Sequence, residues 1–210
     1  MNADTTNTVD NGVIDFYFDF ISPYGWLGAE KVGALARKFG RRVNWHPFLL
    51  KVTVLETMGM KPPLETPLKG DYLLHDIKRS LRYHGLFLHE KSKFGFLSVV
   101  PARAVMWAHT TAPEKIEDLV LALYRAHWRD GKDISDTATV LDVIESISLA
   151  RHEAAIALKS ASIKVALRDA VSDTISKGIF GSPSFIIDGE MFWGSDRLQM
   201  IKTWLEKGGW

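Results

Sequence analysis

The chain has 210 residues, of which 46% are hydrophobic and 11% aromatic, as in a globular protein with one well-buried core. Lys and Arg number 26 against 25 Asp and Glu, so no broad basic surface for nucleic-acid binding is indicated. The cysteine count of zero excludes disulfides, zinc–thiolate sites and any dithiol redox cycle carried by the protein itself.

The N-terminal sequence gives no targeting signal. Its first residues lack the basic and apolar regions of a signal peptide, and no apolar run reaches the roughly 18 residues of a membrane span. We therefore expect a cytoplasmic protein with no membrane partner and a flexible N-terminus over residues 1–12.

The first third of the chain predicts a strand, a helix, a second strand and a loop. Alternation predicts a strand from Val13 to Phe20, and an apolar stripe predicts a following helix that ends near Gly40. The second strand is predicted over 43–48. The stretch 59–67 holds three prolines and breaks all periodicity, which favours a loop.

Helical periodicity dominates the middle of the chain. Helix starts are expected at Asp71, Pro101, Pro113 and Asp136, and the pattern continues to about residue 177. Seven histidines show no metal-ligand spacing, so no metal site is expected.

The C-terminal end restores β structure. Two short strands, 184–187 and 190–193, flank Asp188-Gly189, a dipeptide suited to the positive φ angles of a two-residue hairpin turn. A last helix begins after Gly194. The order strand, helix, strand, helical block, hairpin, helix predicts an α/β fold.

Ser22 lies where the first strand turns into the first helix. Serine is a preferred N-cap, and Pro23 then occupies a position where a missing N–H costs nothing. Free first-turn amides and the helix dipole attract an anion at such a junction. Because the chain has no cysteine, any thiolate bound there must arrive as a ligand.

Three motifs in this sequence together resemble those of the 2-hydroxychromene-2-carboxylate isomerase family. They are Asp19-Phe20-Ile21-Ser22-Pro23-Tyr24, Phe180-Gly181-Ser182-Pro183-Ser184-Phe185 and Phe192-Trp193-Gly194-Ser195-Asp196-Arg197. That family is related to kappa-class glutathione transferases and DsbA-type oxidoreductases. The resemblance implies a thioredoxin-like fold with an inserted all-helical subdomain, glutathione as cofactor and a homodimer. We assign 13–68 and 179–210 to the thioredoxin-like domain and 69–178 to the insertion.

The resemblance also implies roles for individual residues. Ser22 matches the catalytic serine, which would bind the glutathione sulfur. Ser182 matches the residue whose backbone pairs with the cysteinyl part of glutathione, and Pro183 matches the cis-proline that faces this site. Ser195 and Asp196 match a pair that holds the γ-glutamyl end.

The resemblance extends to further binding residues. Lys61 resembles a lysine that reaches the glycyl carboxylate of glutathione. Family members often have Asn where the nearest polar residue here is Arg103, and a basic residue should hold the carboxylate of a small aromatic acid substrate. Lys51, Arg82 and Arg103 are unranked candidates. Tyr72 is a further substrate candidate, whereas an ordinary helix position is favoured for Asp76.

Three functions stay open from the sequence. The first is glutathione-dependent isomerisation of 2-hydroxychromene-2-carboxylate to trans-o-hydroxybenzylidenepyruvate, or of a related aromatic acid, through transient thiolate addition. The second is kappa-like conjugation, which releases a stable adduct. The third is a non-catalytic thioredoxin-like binding module. A serine hydrolase is set aside because Gly-x-Ser-x-Gly is absent.

Overall fold

A computed structural model describes residues 12–210, so most of the predicted flexible N-terminus lies outside the described residues. Four strands and eight α-helices follow in chain order within that range. They are β1 (Val13–Phe18), α1 (Pro23–Lys38), β2 (Arg42–Pro47), α2 (Lys69–Tyr83), α3 (Val99–Thr111), α4 (Ile116–Tyr124), α5 (Thr137–Ser146), α6 (Arg151–Ala157), α7 (Ala161–Ser176), β3 (Ser184–Ile187), β4 (Glu190–Trp193) and α8 (Leu198–Lys207).

Shorter helical turns connect several of these elements. Residues Lys51–Thr57 and Arg125–Arg129 form π-helical turns, and Pro63–Glu65, Pro113–Lys115 and Ser195–Arg197 form 3-10 turns. No helix within residues 12–210 combines the length and apolar character needed to cross a bilayer.

The sheet is mixed, with strand order β2-β1-β3-β4. β1 and β2 are parallel neighbours connected by α1. β3 runs antiparallel to β1, and β3 and β4 form the antiparallel C-terminal hairpin. Helices α2–α7 lie between β2 and β3 in the chain. The predicted thioredoxin-like architecture, with helices inserted before the hairpin, is confirmed.

The two faces of β1 build two cores because successive side chains point to opposite sides of a strand. Phe16 and Phe18 join α1 and the inserted helices in the larger core, where both rings are fully buried. Tyr17 points the other way and packs with Leu167 and Val171 of α7. The larger core includes side chains from both parts of the chain, so the sheet and the insertion share it.

The hairpin forms at the predicted positions. Asp188 and Gly189 have φ angles of 54° and 86°, the left-handed values that this two-residue turn requires. Asp188 also accepts a bidentate ion pair from Arg41, with N···O distances of 2.6 and 2.9 Å, which ties the turn to the start of β2.

Several element boundaries differ from the sequence prediction. α3 begins at Val99 rather than Pro101, and β2 spans Arg42–Pro47 rather than 43–48. β1 ends at Phe18 rather than Phe20, because Asp19 leaves the sheet to bond Ser182 and Ser22. Helix α2 begins at Lys69 instead of Asp71, since the N–H of Gly70 already donates to the carbonyl of Thr66 at 2.8 Å. Asp71 therefore lies inside the first turn and does not cap the helix.

Candidate active site

Ser22 caps α1 as the sequence predicts. Its Oγ accepts the N–H of Gly25 at 3.0 Å, and Pro23 occupies the first helical turn. The side chain is nearly buried, with 7% of the residue exposed. The hydroxyl is therefore held in place from one side by the helix that it caps.

The Ser182-Pro183 segment approaches Ser22 from the other end of the chain. The peptide bond between these two residues is cis, and the Ser22 hydroxyl donates to the Ser182 carbonyl at 2.9 Å. Pro183 packs against Gly28 of α1, where an added Cβ would lie 3.1 Å from the proline ring. The structure thus brings together the two motifs that lie 160 residues apart.

One amide of the first turn of α1 remains available to a ligand. The N–H of Ser22 donates to Asp19 at 3.0 Å, Pro23 has no N–H, and that of Gly25 is used by Ser22. Within residues 12–210 the N–H of Tyr24 has no hydrogen-bond partner. No acidic residue lies in this turn, so no carboxylate of the turn itself offsets the positive end of the helix dipole.

Gly25 makes room for two hydroxyl groups below the helix entry. A Cβ at this position would lie 2.6 Å from the Tyr124 hydroxyl and 2.7 Å from Ser182 Oγ. The Tyr124 hydroxyl is buried and donates to the carbonyl of Asp19 at 2.9 Å. Burial, with a smaller effect of the Asp19 charge, holds the pKa of Tyr124 well above its usual value, so this group stays a donor.

The Ser195-Asp196 turn lies beside the cis-proline. The N–H of Gly194 donates to the Pro183 carbonyl at 2.9 Å, which fixes the start of the turn. The Asp196 carboxylate is mostly exposed and pairs with Arg197 at 3.3 Å. A carboxylate and the first amides of a helical turn are thus presented a short distance from Pro183.

Asp19 carries the buried carboxylate of this region and has 1% of its surface exposed. Its carboxylate accepts the N–H groups of Ile21 at 3.2 Å and Leu50 at 2.7 Å. Burial raises the pKa of Asp19 to about 6, although hydrogen bonds from Ser98, Leu50 and Ile21 and the charge of Lys51 lower it in part.

A second network links the start of α1 to α2. The Tyr24 hydroxyl donates to Asp76 at 2.5 Å, and Arg79 donates both to Asp76 and, at 3.2 Å, to the Tyr72 hydroxyl. The bond from Tyr24, followed by those from Arg79 and Ser80, holds the pKa of Asp76 below its usual value. Asp76 is thus joined by a side-chain hydrogen bond to the helix that Ser22 caps.

The basic residues predicted to bind glutathione or substrate make no hydrogen bond or ion pair with the Ser22 site among the described residues. Lys61 and Arg82 are exposed. Arg103 is half-buried, and its Nε has no hydrogen-bond partner within residues 12–210. Lys51 is the basic candidate that interacts electrostatically with the site, because its charge lowers the pKa of Asp19. No cluster of three or more potential metal ligands occurs among the described residues.

Comparison with known proteins decides the family. A family model described as a DsbA-like thioredoxin domain matches residues 13–206. The chain belongs to this family. The rat protein named glutathione S-transferase kappa 1 is 26% identical to this DsbA-like protein over 203 residues, covering 90% of this chain and 88% of the relative.

Isomerases form the second group of relatives of this DsbA-like protein. The 2-hydroxychromene-2-carboxylate isomerase of Sphingobium xenophagum is 26% identical over 193 residues, covering 91% of this chain and 97% of the relative. A solved 2-hydroxychromene-2-carboxylate isomerase superposes with a TM-score of 0.83 at 23% identity, covering 93% and 95% of the two chains. These comparisons confirm the resemblance and the fold, and they group the chain with glutathione-related isomerases and transferases.

Sequence reasoning missed Gly25, Tyr124 and the side chain of Ser182. Tyr124 lies 105 residues from the Asp19 carbonyl that it binds, and its surroundings show only the apolar stripe of a helix. Asp19 did carry a signal, because an acidic residue stands between aromatic residues at the end of a strand that is otherwise buried.

Proposed function

We propose that this protein is a glutathione-dependent enzyme that uses Ser22 to hold the glutathione sulfur as a thiolate. The observation that carries the proposal is the junction of three groups at one place. They are the Ser22 hydroxyl, the N–H of Tyr24, which has no partner among residues 12–210, and the Ser182-Pro183 segment. A hydroxyl, a free amide and a helix N-terminus all favour the charged form of a thiol.

The hydrogen bonds of Ser22 suggest how its hydroxyl becomes available to a ligand. It has one proton, which is directed at the Ser182 carbonyl. An incoming amide N–H from the cysteinyl part of glutathione would take over that carbonyl, and the hydroxyl would then turn to the sulfur. The proposal therefore exchanges one hydrogen bond for another and leaves neither group unsatisfied.

The rest of glutathione extends along the predicted residues in this proposal. Its γ-glutamyl end would lie at Ser195 and Asp196, where the carboxylate suits the ligand ammonium and the amides suit the ligand carboxylate. Lys61 would reach the glycyl carboxylate. The proposal keeps the protein in the cytoplasm, the compartment in which thiols are kept reduced.

The proposed reaction is isomerisation of a small unsaturated aromatic keto acid, such as 2-hydroxychromene-2-carboxylate. The cyclic hemiketal first opens: its ring C–O bond breaks, the hemiketal hydroxyl proton passes to the phenol oxygen, and a keto group conjugated to the cis alkene is formed. The thiolate then adds to the alkene carbon next to the aromatic ring, forming a C–S bond while the π electrons move to the keto oxygen as an enolate. The former double bond is then single, which permits rotation. Elimination breaks the C–S bond, restores the alkene as in trans-o-hydroxybenzylidenepyruvate and returns the thiolate. Glutathione is thus not consumed.

The placement of the substrate carboxylate is also a proposal. Lys51 is favoured over Arg82 because its charge acts at Asp19, three residues before Ser22. Arg103 remains a second candidate, since a buried guanidinium nitrogen without a partner is an incomplete hydrogen-bond donor. Tyr72 is the aromatic candidate, being exposed and linked to Tyr24 through the Asp76 network.

Kappa-like conjugation is the second candidate, favoured by the equal identity of 26% to a kappa transferase and to an isomerase. Following glutathione during turnover separates the two reactions. Isomerisation leaves its concentration constant, while conjugation consumes one glutathione for each product. A calorimetric titration with no heat and no thermal shift would instead favour the non-catalytic binding module.

We also propose a homodimer, as the family resemblance implies. Large apolar side chains that are more than a third exposed are concentrated between residues 55 and 97. They are Leu55, Met58, Met60, Leu68, Tyr72, Leu74, Tyr83, Phe87 and Leu97. Exposed apolar side chains of this size are typical of protein interfaces where they form one contiguous patch.

A further inference from the structure

The Asp19 carboxylate joins three segments that converge at the Ser22 site. It accepts the Ile21 N–H at the entry to α1 and the Leu50 N–H after β2, and the Ser98 side chain at the start of α3 lies near enough to lower its pKa. Only the bond to Ile21 is a local turn contact. Leu50 and Ser98 are distant in sequence, so the carboxylate fixes tertiary structure.

The backbone of Asp19 also hydrogen-bonds to residues of the Ser22 site. Its N–H donates to Ser182 Oγ at 3.0 Å, and its carbonyl accepts the N–H of Ser22 at 3.0 Å. The Tyr124 hydroxyl donates to that carbonyl as well. The Ser22 turn, Ser182 and Tyr124 are therefore each hydrogen-bonded to Asp19 directly.

A role in stability alone does not account for this carboxylate. It forms no salt bridge among the described residues, and the charged or titratable groups that act on it are Lys51 and Tyr124. An ionised, buried group stabilised only by hydrogen bonds costs folding free energy relative to an apolar one. The raised pKa of Asp19 reflects this unfavourable free energy of burying the ionised carboxylate.

We propose that Asp19 is a positioning residue for the Ser22 site. Its ionised carboxylate holds the start of α1, the segment after β2 and the start of α3 in the single arrangement that presents Ser22 and the N–H of Tyr24 to a ligand. The consequence for catalysis rests on the function proposed above, whereas the positioning itself does not require a ligand.

The chemistry of the carboxylate explains why its charge is needed. Ile21 donates to one oxygen and Leu50 to the other. The isosteric change Asp19→Asn replaces one acceptor oxygen with an amino group, which faces an N–H donor and cannot accept from it. Either the entry to α1 or the segment after β2 must then move.

The primary test uses the ligand-free protein. In the parent protein, the backbone amide resonances of Ile21 and Leu50 should titrate together with an apparent pKa of about 6, and in Asp19→Asn this titration should be absent. Asp15→Asn is the matched control. Asp15 is a half-buried carboxylate on β1, four residues before Asp19, and it binds Asn44 and His46 outside the site.

The second readout is kcat/KM under the glutathione-dependent assay. We expect Asp19→Asn to lower kcat/KM by at least about tenfold, since displacement of a reacting group by about 1 Å has effects of that size. Asp15→Asn should leave it unchanged. If the parent binds glutathione and Asp19→Asn keeps the parent kcat/KM and amide positions, the positioning role is wrong and the function stands. If the parent binds no glutathione, the function fails, and the amide titration alone decides the role of Asp19.

Discussion

Replacing Ser22 with alanine is the perturbation that separates catalysis from folding most clearly. The change removes the hydroxyl that accepts from Gly25 and donates to the Ser182 carbonyl. Loss of the helix cap costs about 1 kcal/mol. That cost already includes the lost bond to the Gly25 N–H. The unpaired Ser182 carbonyl adds to it, so we expect destabilisation of about 1–3 kcal/mol and a folded protein.

The effect on the bound sulfur should be larger than the effect on the fold. A hydrogen bond to a charged group is worth about 1.5–3 kcal/mol, which corresponds to a rise of roughly one to two units in the thiol pKa of bound glutathione. Turnover should fall about 10²-fold, as when one donor to a reacting anion is removed. The assay is the thiolate ultraviolet absorbance of the complex as a function of pH, together with kcat.

Ser160→Ala provides the matched control for this experiment. Ser160 caps α7 by accepting from Ile163 at 3.3 Å, far in sequence from the site motifs. It should lose a similar cap free energy with no change in the thiol pKa or in turnover. If Ser22→Ala gave the same thiol pKa and kcat as Ser160→Ala, the assigned role of Ser22 would be refuted.

Three further predictions follow from the same contacts. Ser22→Cys should attack glutathione disulfide, releasing one glutathione thiolate and keeping the other half as a mixed disulfide, because the chain holds no second cysteine to resolve it; an unmodified mass after incubation would contradict this. Acidification from pH 7 to pH 4 should stabilise the parent relative to Asp19→Asn by up to about 3 kcal/mol, measured by urea unfolding. The folded Asp19 has a pKa of about 6 against an ordinary aspartate value of 3.8, so the folded state binds the extra proton in this window. His84, His109 and His127 act oppositely because burial lowers their pKa values, and comparison of variant with parent cancels them. Light scattering should give the mass of a dimer, and Leu68→Asp, at a side chain that is 92% exposed, should shift it to the monomer; a parent protein that is monomeric at all concentrations would remove the dimer proposal.

Local sequence chemistry predicted the elements that depend on neighbouring residues. The hairpin follows from Asp188-Gly189, whose φ angles are both positive. The caps at Ser22 and Asp136 follow from side chains that accept an N–H three residues ahead. In each case the residues that make the decisive contact lie within one turn, so the pattern is readable from the sequence.

Contacts between distant segments were not predictable in the same way. Nothing near Tyr124 indicates that its hydroxyl reaches the Asp19 carbonyl, and nothing near Leu50 indicates that its N–H binds the Asp19 carboxylate. The start of α2 was misplaced for a related reason. Leu68 precedes it with a φ of 65°, a left-handed value that leucine rarely adopts and that no local propensity indicates.

The position of the sulfur in a crystal structure with bound glutathione tests the central claim most directly. The account predicts the sulfur within hydrogen-bond distance of Ser22 Oγ and facing the Tyr24 N–H, with the ligand's cysteinyl amide on the Ser182 carbonyl. A complex in which the tripeptide binds elsewhere, with the Ser22 hydroxyl still donating to Ser182, would contradict it.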